Sequence, residues 1–150
     1  MPSTYTQNYY HTVFSTKDRE ALITPEAEER LYPFIGGILS DLGGTPIAIN
    51  GIANHVHILT RYPSDLSHSD MLRHIKSRSS KWISDVGLIP RWQGWQAGYG
   101  GFTVGRSMLD QVAKYVRNQK EHHREVSFED EFIDMLRRAD IEFDVNEIFK

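Results

Sequence analysis

The chain has 150 residues, with 17 Lys+Arg against 20 Asp+Glu and a formal net charge of -3. That length suits one hydrophobic core, and 39% hydrophobic with 25% charged residues reads as globular rather than disordered. The absence of cysteine excludes disulfides, Cys-ligated zinc and thiol catalysis.

No apolar run approaches the roughly 20 residues of a bilayer span, and the first residues are too polar for a signal peptide, so a cytoplasmic location is expected. The mild net charge hides an asymmetry. Residues 1–60 balance to -3, residues 61–124 to +6 and residues 125–150 to -6. A basic middle between acidic flanks hints at a polyanionic ligand, or else at a solvated surface with uneven charge.

In chain order, residues 9–16 alternate well enough for a first strand. Thr24-Pro25 followed by Glu26, Glu28 and Glu29 opens a helix, with a capping hydroxyl, a first-turn proline and acids at the positive dipole end. Leu31, Ile35, Ile38 and Leu42 continue it, Pro33 should kink it, and Gly43-Gly44 ends it. Residues 45–53 and 56–62 read as two strands of a hairpin joined through Asn54-His55.

A second helix is expected over 67–86, burying Leu72, Ile75, Ser79, Trp82, Ile83 and Val86. A loop rich in Gly, Trp and Tyr follows, with a short strand at 102–104. Ser107 with Asp110 predicts a capped helix over 107–124, and an acidic helix over 128–139 closes the chain. The first six elements fit an α+β fold: a ferredoxin-like, RRM-like antiparallel sheet with helices on one face. Residues 1–150 read as a single domain whose segment 125–150 is an acidic helical tail.

Two constellations carry chemistry. In His55-Val56-His57, strand alternation sets two imidazoles side by side with Val56 on the other face, an arrangement suited to a divalent metal. On the third helix, Tyr115, Gln119 and His122 fall at i, i+4 and i+7 and line one face beside the apolar stripe of Leu109, Val112, Ala113 and Val116. A tyrosine is a weak nucleophile at its ordinary pKa of about 10. Beside a cation that polarises a phosphoryl oxygen, it can attack a phosphodiester and keep the bond energy in a phosphotyrosine link.

The motifs His55-Val56-His57 and Tyr115-Val116-Arg117-Asn118-Gln119, followed by His122-His123, resemble those of the single-tyrosine HUH transposases, the small single-strand DNA transposases of bacterial insertion sequences. Residues 34–38, 51–57 and 76–82 and the aromatic-glycine loop share the resemblance. It implies that Tyr115 is the nucleophile and that His55, His57 and Gln119 bind Mg²⁺ or Mn²⁺. His122 would stand just behind them. It further implies a homodimer, in which the tyrosine helix of one subunit can complete the histidine site of the other, acting in the bacterial cytoplasm, at the nucleoid, on single-stranded DNA with hairpin ends, by cleavage and rejoining through a 5′-phosphotyrosine.

Arg73, Lys76, Arg78 and Lys81 would then track phosphates, or form an ordinary solvated basic face. Trp92, Trp95, Tyr99 and Phe102 would stack on unpaired bases, or Trp92 and Trp95 would pin their loop to the core. His11, His68 and His74 have no partner pattern. The acidic tail matches nothing in the family pattern and reads as a solvated helix, or as a cover for the dimer or the tyrosine helix. The residues by themselves leave two other functions open. One is a non-catalytic RRM-like module for single-stranded nucleic acid; the other is a metal-dependent phosphodiester hydrolase in which water attacks.

Overall fold

A computed structural model describes residues 3–150. The elements are β1 (Asn8–Ser15), α1 (Pro25–Asp41), β2 (Thr45–Ile52), β3 (His55–Tyr62), α2 (His68–Val86), β4 (Gly100–Val104), α3 (Leu109–Arg117), α4 (Gln119–His122) and α5 (Phe128–Arg138). The strands form one sheet in the order β2-β3-β1-β4, with every neighbouring pair antiparallel. This is the predicted split βαβ arrangement.

Strand alternation sorts the sheet into two faces. Phe14 of β1 with Val56, Ile58 and Tyr62 of β3 pack against Leu31, Ile35 and Ile38 of α1 and Met71, Leu72, Ile75 and Ile83 of α2. On the opposite face, Leu59 of β3 and Ala48 of β2 meet Leu109, Ala113 and Val116 of α3. His55 and His57 share the face of Leu59, so they look toward α3 and away from the main core. Both are fully buried.

Capping explains where the helices begin. The Thr24 and Ser67 side chains accept the backbone N–H groups of Ala27 and Asp70, which satisfies donors that have no partner inside the helix. Pro33 does not end α1, which runs unbroken from Pro25 to Asp41. It sits on the exposed side of the helix, where water can take the carbonyl that proline leaves without a donor. In α2 the apolar face continues to the helix end, but Val86 is 44% exposed because nothing covers that last turn.

Two sequence expectations shift. The β2–β3 turn is Ala53-Asn54, so His55 is the first residue of β3, paired with Ile52 and Ser15. The two strands come so close there that a Cβ on Gly51 would lie 2.1 Å from the His55 carbonyl oxygen. The predicted helix over 107–124 is instead a 3-10 turn at Arg106–Met108 followed by α3 and α4. Ser107 caps nothing. The break falls at Asn118 (φ -97, ψ 17), whose N–H reaches the carbonyls of both Lys114 and Tyr115. Asparagine leaves helical geometry readily because its side chain competes for backbone partners. Among the described residues, no helix is long and apolar enough to cross a membrane.

Candidate metal and tyrosine site

His55 and His57 lie side by side on β3 with ring centroids 5.0 Å apart, as the alternation predicts. Across the sheet face, α3 brings Tyr115 to within 5.9 Å of the His57 ring, centroid to centroid. The helix break then turns Gln119 inward. It is fully buried, and its Oε1 lies 3.4 Å from His55 Nε2. The tyrosine helix and the histidine pair therefore meet within one chain.

The tail supplies the centre of this site. The N–H of Asp130 is capped by the Ser127 side chain, which starts α5. Phe128 stacks on the His55 ring at 4.4 Å, docking the helix over β3. Glu131, 2% exposed, then points into the cluster. Its Oε1 lies 2.9 Å from His57 Nε2, 3.0 Å from His123 Nε2 and 3.3 Å from His55 Nε2. Its Oε2 accepts the hydroxyl of Tyr115 and, at 3.1 Å, the side-chain N–H of Gln119. His122 Nε2 lies 3.3 Å from both the Tyr115 hydroxyl and Glu131 Oε2.

Burial and this one carboxylate set the protonation of the site. Burial alone would raise the Glu131 carboxyl, but hydrogen bonds from His123, His55 and His57 hold it far below the usual carboxylate range. Desolvation pushes His55 down to about 4 and also lowers His57. His123 is pushed down by burial too, yet its contact with Glu131 raises it overall. Burial raises the Tyr115 hydroxyl, and the hydrogen bond to Glu131 raises it further. Both effects favour the neutral phenol.

His55, His57, His123 and Glu131 form a group that could hold a metal ion, with donor atoms all within 4.8 Å of one another. Donors that share one ion at ~2.1 Å stand about 3.0–3.4 Å apart along the edges of an octahedron or tetrahedron. The separations of 2.9, 3.0 and 3.3 Å around Glu131 Oε1 lie at that spacing. Three imidazoles and a carboxylate are the donor chemistry that a divalent cation takes.

The other residues singled out in the sequence lie elsewhere. Arg73, Arg78 and Lys81 are exposed on α2, across the sheet from Tyr115, and pair with Asp70, Asp41 and Asp85. The Lys76 ammonium donates to the carbonyls of Gln96 and Gly98, 2.7 Å each, and holds the aromatic loop onto α2. Trp92 and Trp95 pack against the main core, their indole N–H groups donating to Ser80 and Ser79. Both pin the loop.

Sequence reasoning missed His11, His123 and Glu131. The solvated-helix reading of the tail is corrected by the burial of Glu131. A signal was present, since Glu131 interrupts the apolar row of Phe128, Phe132, Met135 and Leu136 on α5. A carboxylate on the packed face of a helix needs partners. His11 carries no such signal, because only the β1–β3 register brings it to His57.

This architecture, a four-stranded sheet with a tyrosine helix laid over a His-x-His strand, has relatives. Residues 4–119 match the sequence model of the family described as "transposase IS200 like". The chain belongs to that family of DNA-processing transposases.

A candidate transposase from Deinococcus radiodurans R1 superposes with a TM-score of 0.63 at 22% identity, covering 79% of this chain and 95% of that one. A REP-associated tyrosine transposase, solved bound to a REP hairpin, superposes with a TM-score of 0.61 at 16% identity, covering 84% and 74%. At these identities the likeness is one of fold. No curated protein matches the chain in sequence. His122, His123 and the whole of α5 lie beyond the matched segment.

Proposed function

We propose that this chain cleaves and rejoins single-stranded DNA carrying hairpin ends, by transesterification at Tyr115 through a 5′-phosphotyrosine. One observation carries the reading: the Tyr115 hydroxyl and three imidazole Nε2 atoms meet on opposite oxygens of the same buried carboxylate. Nucleophile and cation site are thereby held next to each other by Glu131.

His55, His57, His123 and Glu131 would hold the divalent cation, with Gln119 Oε1 beside them. A cation there would polarise the scissile phosphoryl oxygen and offset the charge built up in the transition state. Nitrogen donors favour Mn²⁺ over Mg²⁺, which prefers an all-oxygen shell.

Tyr115 Oη attacks the phosphorus while its proton passes to His122 Nε2, 3.3 Å away, with Glu131 Oε2 holding the hydroxyl in place. The Tyr–O–P bond forms as the P–O3′ bond breaks, and the departing oxygen takes the proton back from His122, directly or through water, to become a free 3′-hydroxyl. Reversal by another 3′-hydroxyl rejoins the strand and frees the tyrosine. Arg73, Arg78 and Lys81, on the far face of the sheet and paired with aspartates, would add only a long-range attraction for DNA that weakens with salt.

Strand labelling tests the reading. A hairpin oligonucleotide with a single-stranded extension is labelled at one end or the other and incubated with protein and Mn²⁺. On a denaturing gel, the 3′-end label should migrate with the protein and the 5′-end label should appear on a free shortened strand. Free labels from both ends would instead indicate attack by water and overturn it. No product with either label would reduce the chain to a binding module.

A further inference from the structure

The His57 ring has a second partner. Its Nδ1 lies 2.8 Å from Nε2 of His11, on the neighbouring strand β1. His11 is 6% exposed, stacks on His57 with ring centroids 5.0 Å apart, and lies edge-on to Tyr115 at 6.0 Å. The other strand histidine has a similar support, since His55 Nδ1 lies 2.8 Å from the Asn54 side-chain oxygen.

The two faces of the His57 ring nitrogens are linked through its single proton. A carboxylate only accepts hydrogen bonds, so Nε2 of His57 must carry a proton to bond Glu131 Oε1. The lone pair of a neutral ring is then on Nδ1, and His11 must donate to it from Nε2–H. When Nε2 of His57 is a metal ligand its proton moves to Nδ1, and the same His11 nitrogen must accept. A fixed donor or a fixed acceptor at position 11 would favour one of these states and oppose the other. A neutral imidazole serves both by changing tautomer.

We infer that His11 is a positioning residue for the cation site, one that orients the His57 ring and follows its change of tautomer when a divalent ion enters. The inference rests on the cation site proposed above.

The test measures Mn²⁺ affinity of the full chain, read from the free-ion electron paramagnetic resonance signal, for wild type, His11→Phe and His11→Gln. Phe keeps the ring packing against Tyr115 and Phe102 but offers His57 no hydrogen bond. Gln can present either its oxygen or its N–H group by rotating the amide. Loss of an outer partner of a ligating histidine lowers metal affinity by about 10–100-fold. His11→Phe should therefore bind Mn²⁺ at least ~10-fold more weakly, with His11→Gln restoring most of the loss.

Nitrogen-15 NMR of wild type supplies a readout that packing alone would not move. His11 should be protonated at Nε2 in metal-free protein and at Nδ1 after addition of diamagnetic Zn²⁺, following the opposite demand of His57 Nδ1. Equal affinities for wild type and His11→Phe, or an unchanged His11 tautomer in Zn²⁺-bound protein, would overturn the role of His11. Failure of wild type to bind Mn²⁺ at all would overturn the cation site and this inference with it.

Discussion

The Glu131 carboxylate is where His55, His57, His123, Tyr115 and Gln119 meet. Burying an anion is costly unless hydrogen bonds and charge partners replace its water, and breaking such a buried pair typically costs about 3–5 kcal/mol. Glu131→Gln should therefore lower the stability of the metal-free protein by about 3 kcal/mol in urea titrations, and lower Mn²⁺ affinity at least ~10-fold. Unchanged stability would mean that the carboxylate does not organise the site.

Protonation gives a second prediction at this scale. Burial lowers His11 to about 3, and His55 and His68 to about 4, from an ordinary 6.5. Between those values the unfolded chain binds protons that the folded chain refuses, so stability rises with pH through this window. His123 is raised and acts in the opposite sense, its contribution fading as pH rises above 6.5. Glu131 is held so low that its contribution survives mild acid. The melting temperature of metal-free protein should fall steadily from pH 6.5 to about pH 4.5, the window set by the lowered histidines. A plateau across that range would contradict the buried, neutral state of these rings.

At the scale of elements, α5 makes the site complete. Phe128 stacks on His55 and is 6% exposed, and Phe132 fills the space above Gly100, where a Cβ would lie 2.6 Å from its ring. Arg19 fastens the end of the chain, donating to the Phe149 carbonyl and pairing with Glu129. Removing a buried phenylalanine costs about 3–5 kcal/mol where the element unfolds with the whole molecule. An end helix can instead open by itself. Phe128→Ala should speed hydrogen exchange of α5 amides strongly while leaving β1 and β3 amides protected. Equal loss of protection throughout would show that α5 is part of the main cooperative unit.

The same scale explains what the sequence could and could not reveal. His55 and His57 stood out because strand alternation is strict, and Tyr115 with Gln119 because of their i, i+4 spacing, although the helix breaks at Asn118 between them. Thr24 and Ser67 announce their helices by local chemistry, and the βαββαβ order leaves few arrangements for the sheet. Ser107 misled, since its capping pattern lies in a 3-10 turn and the helix begins at Leu109. The contact of His11 with His57 depends on the β1–β3 register, a long-range pairing that no local spacing encodes. The entry of Glu131 depends on how α5 docks, which follows from Phe128 and Phe132 finding partners far away in the chain.

Taken as a whole molecule, the chain is a sheet with its main core on one side and its candidate site on the other. α1 and α2 bury most of the apolar side chains, while the opposite face carries a small apolar cluster beside a polar one. The net charge of -3 is a poor guide to partners here, because part of the acidic surplus is committed to ordering the site through Glu131. A basic central segment and a buried carboxylate serve different ends of the same proposed reaction, attraction of DNA and control of the tyrosine.

The measurement that bears most directly on the account is covalent capture. Wild type and Tyr115→Phe are mixed with labelled single-stranded hairpin DNA in Mn²⁺ and resolved under denaturing conditions. Wild type should give a protein–DNA adduct, and Tyr115→Phe should bind the same DNA in a native gel yet form no adduct and cut no strand. Strand cleavage by Tyr115→Phe at the wild-type rate would contradict the tyrosine mechanism.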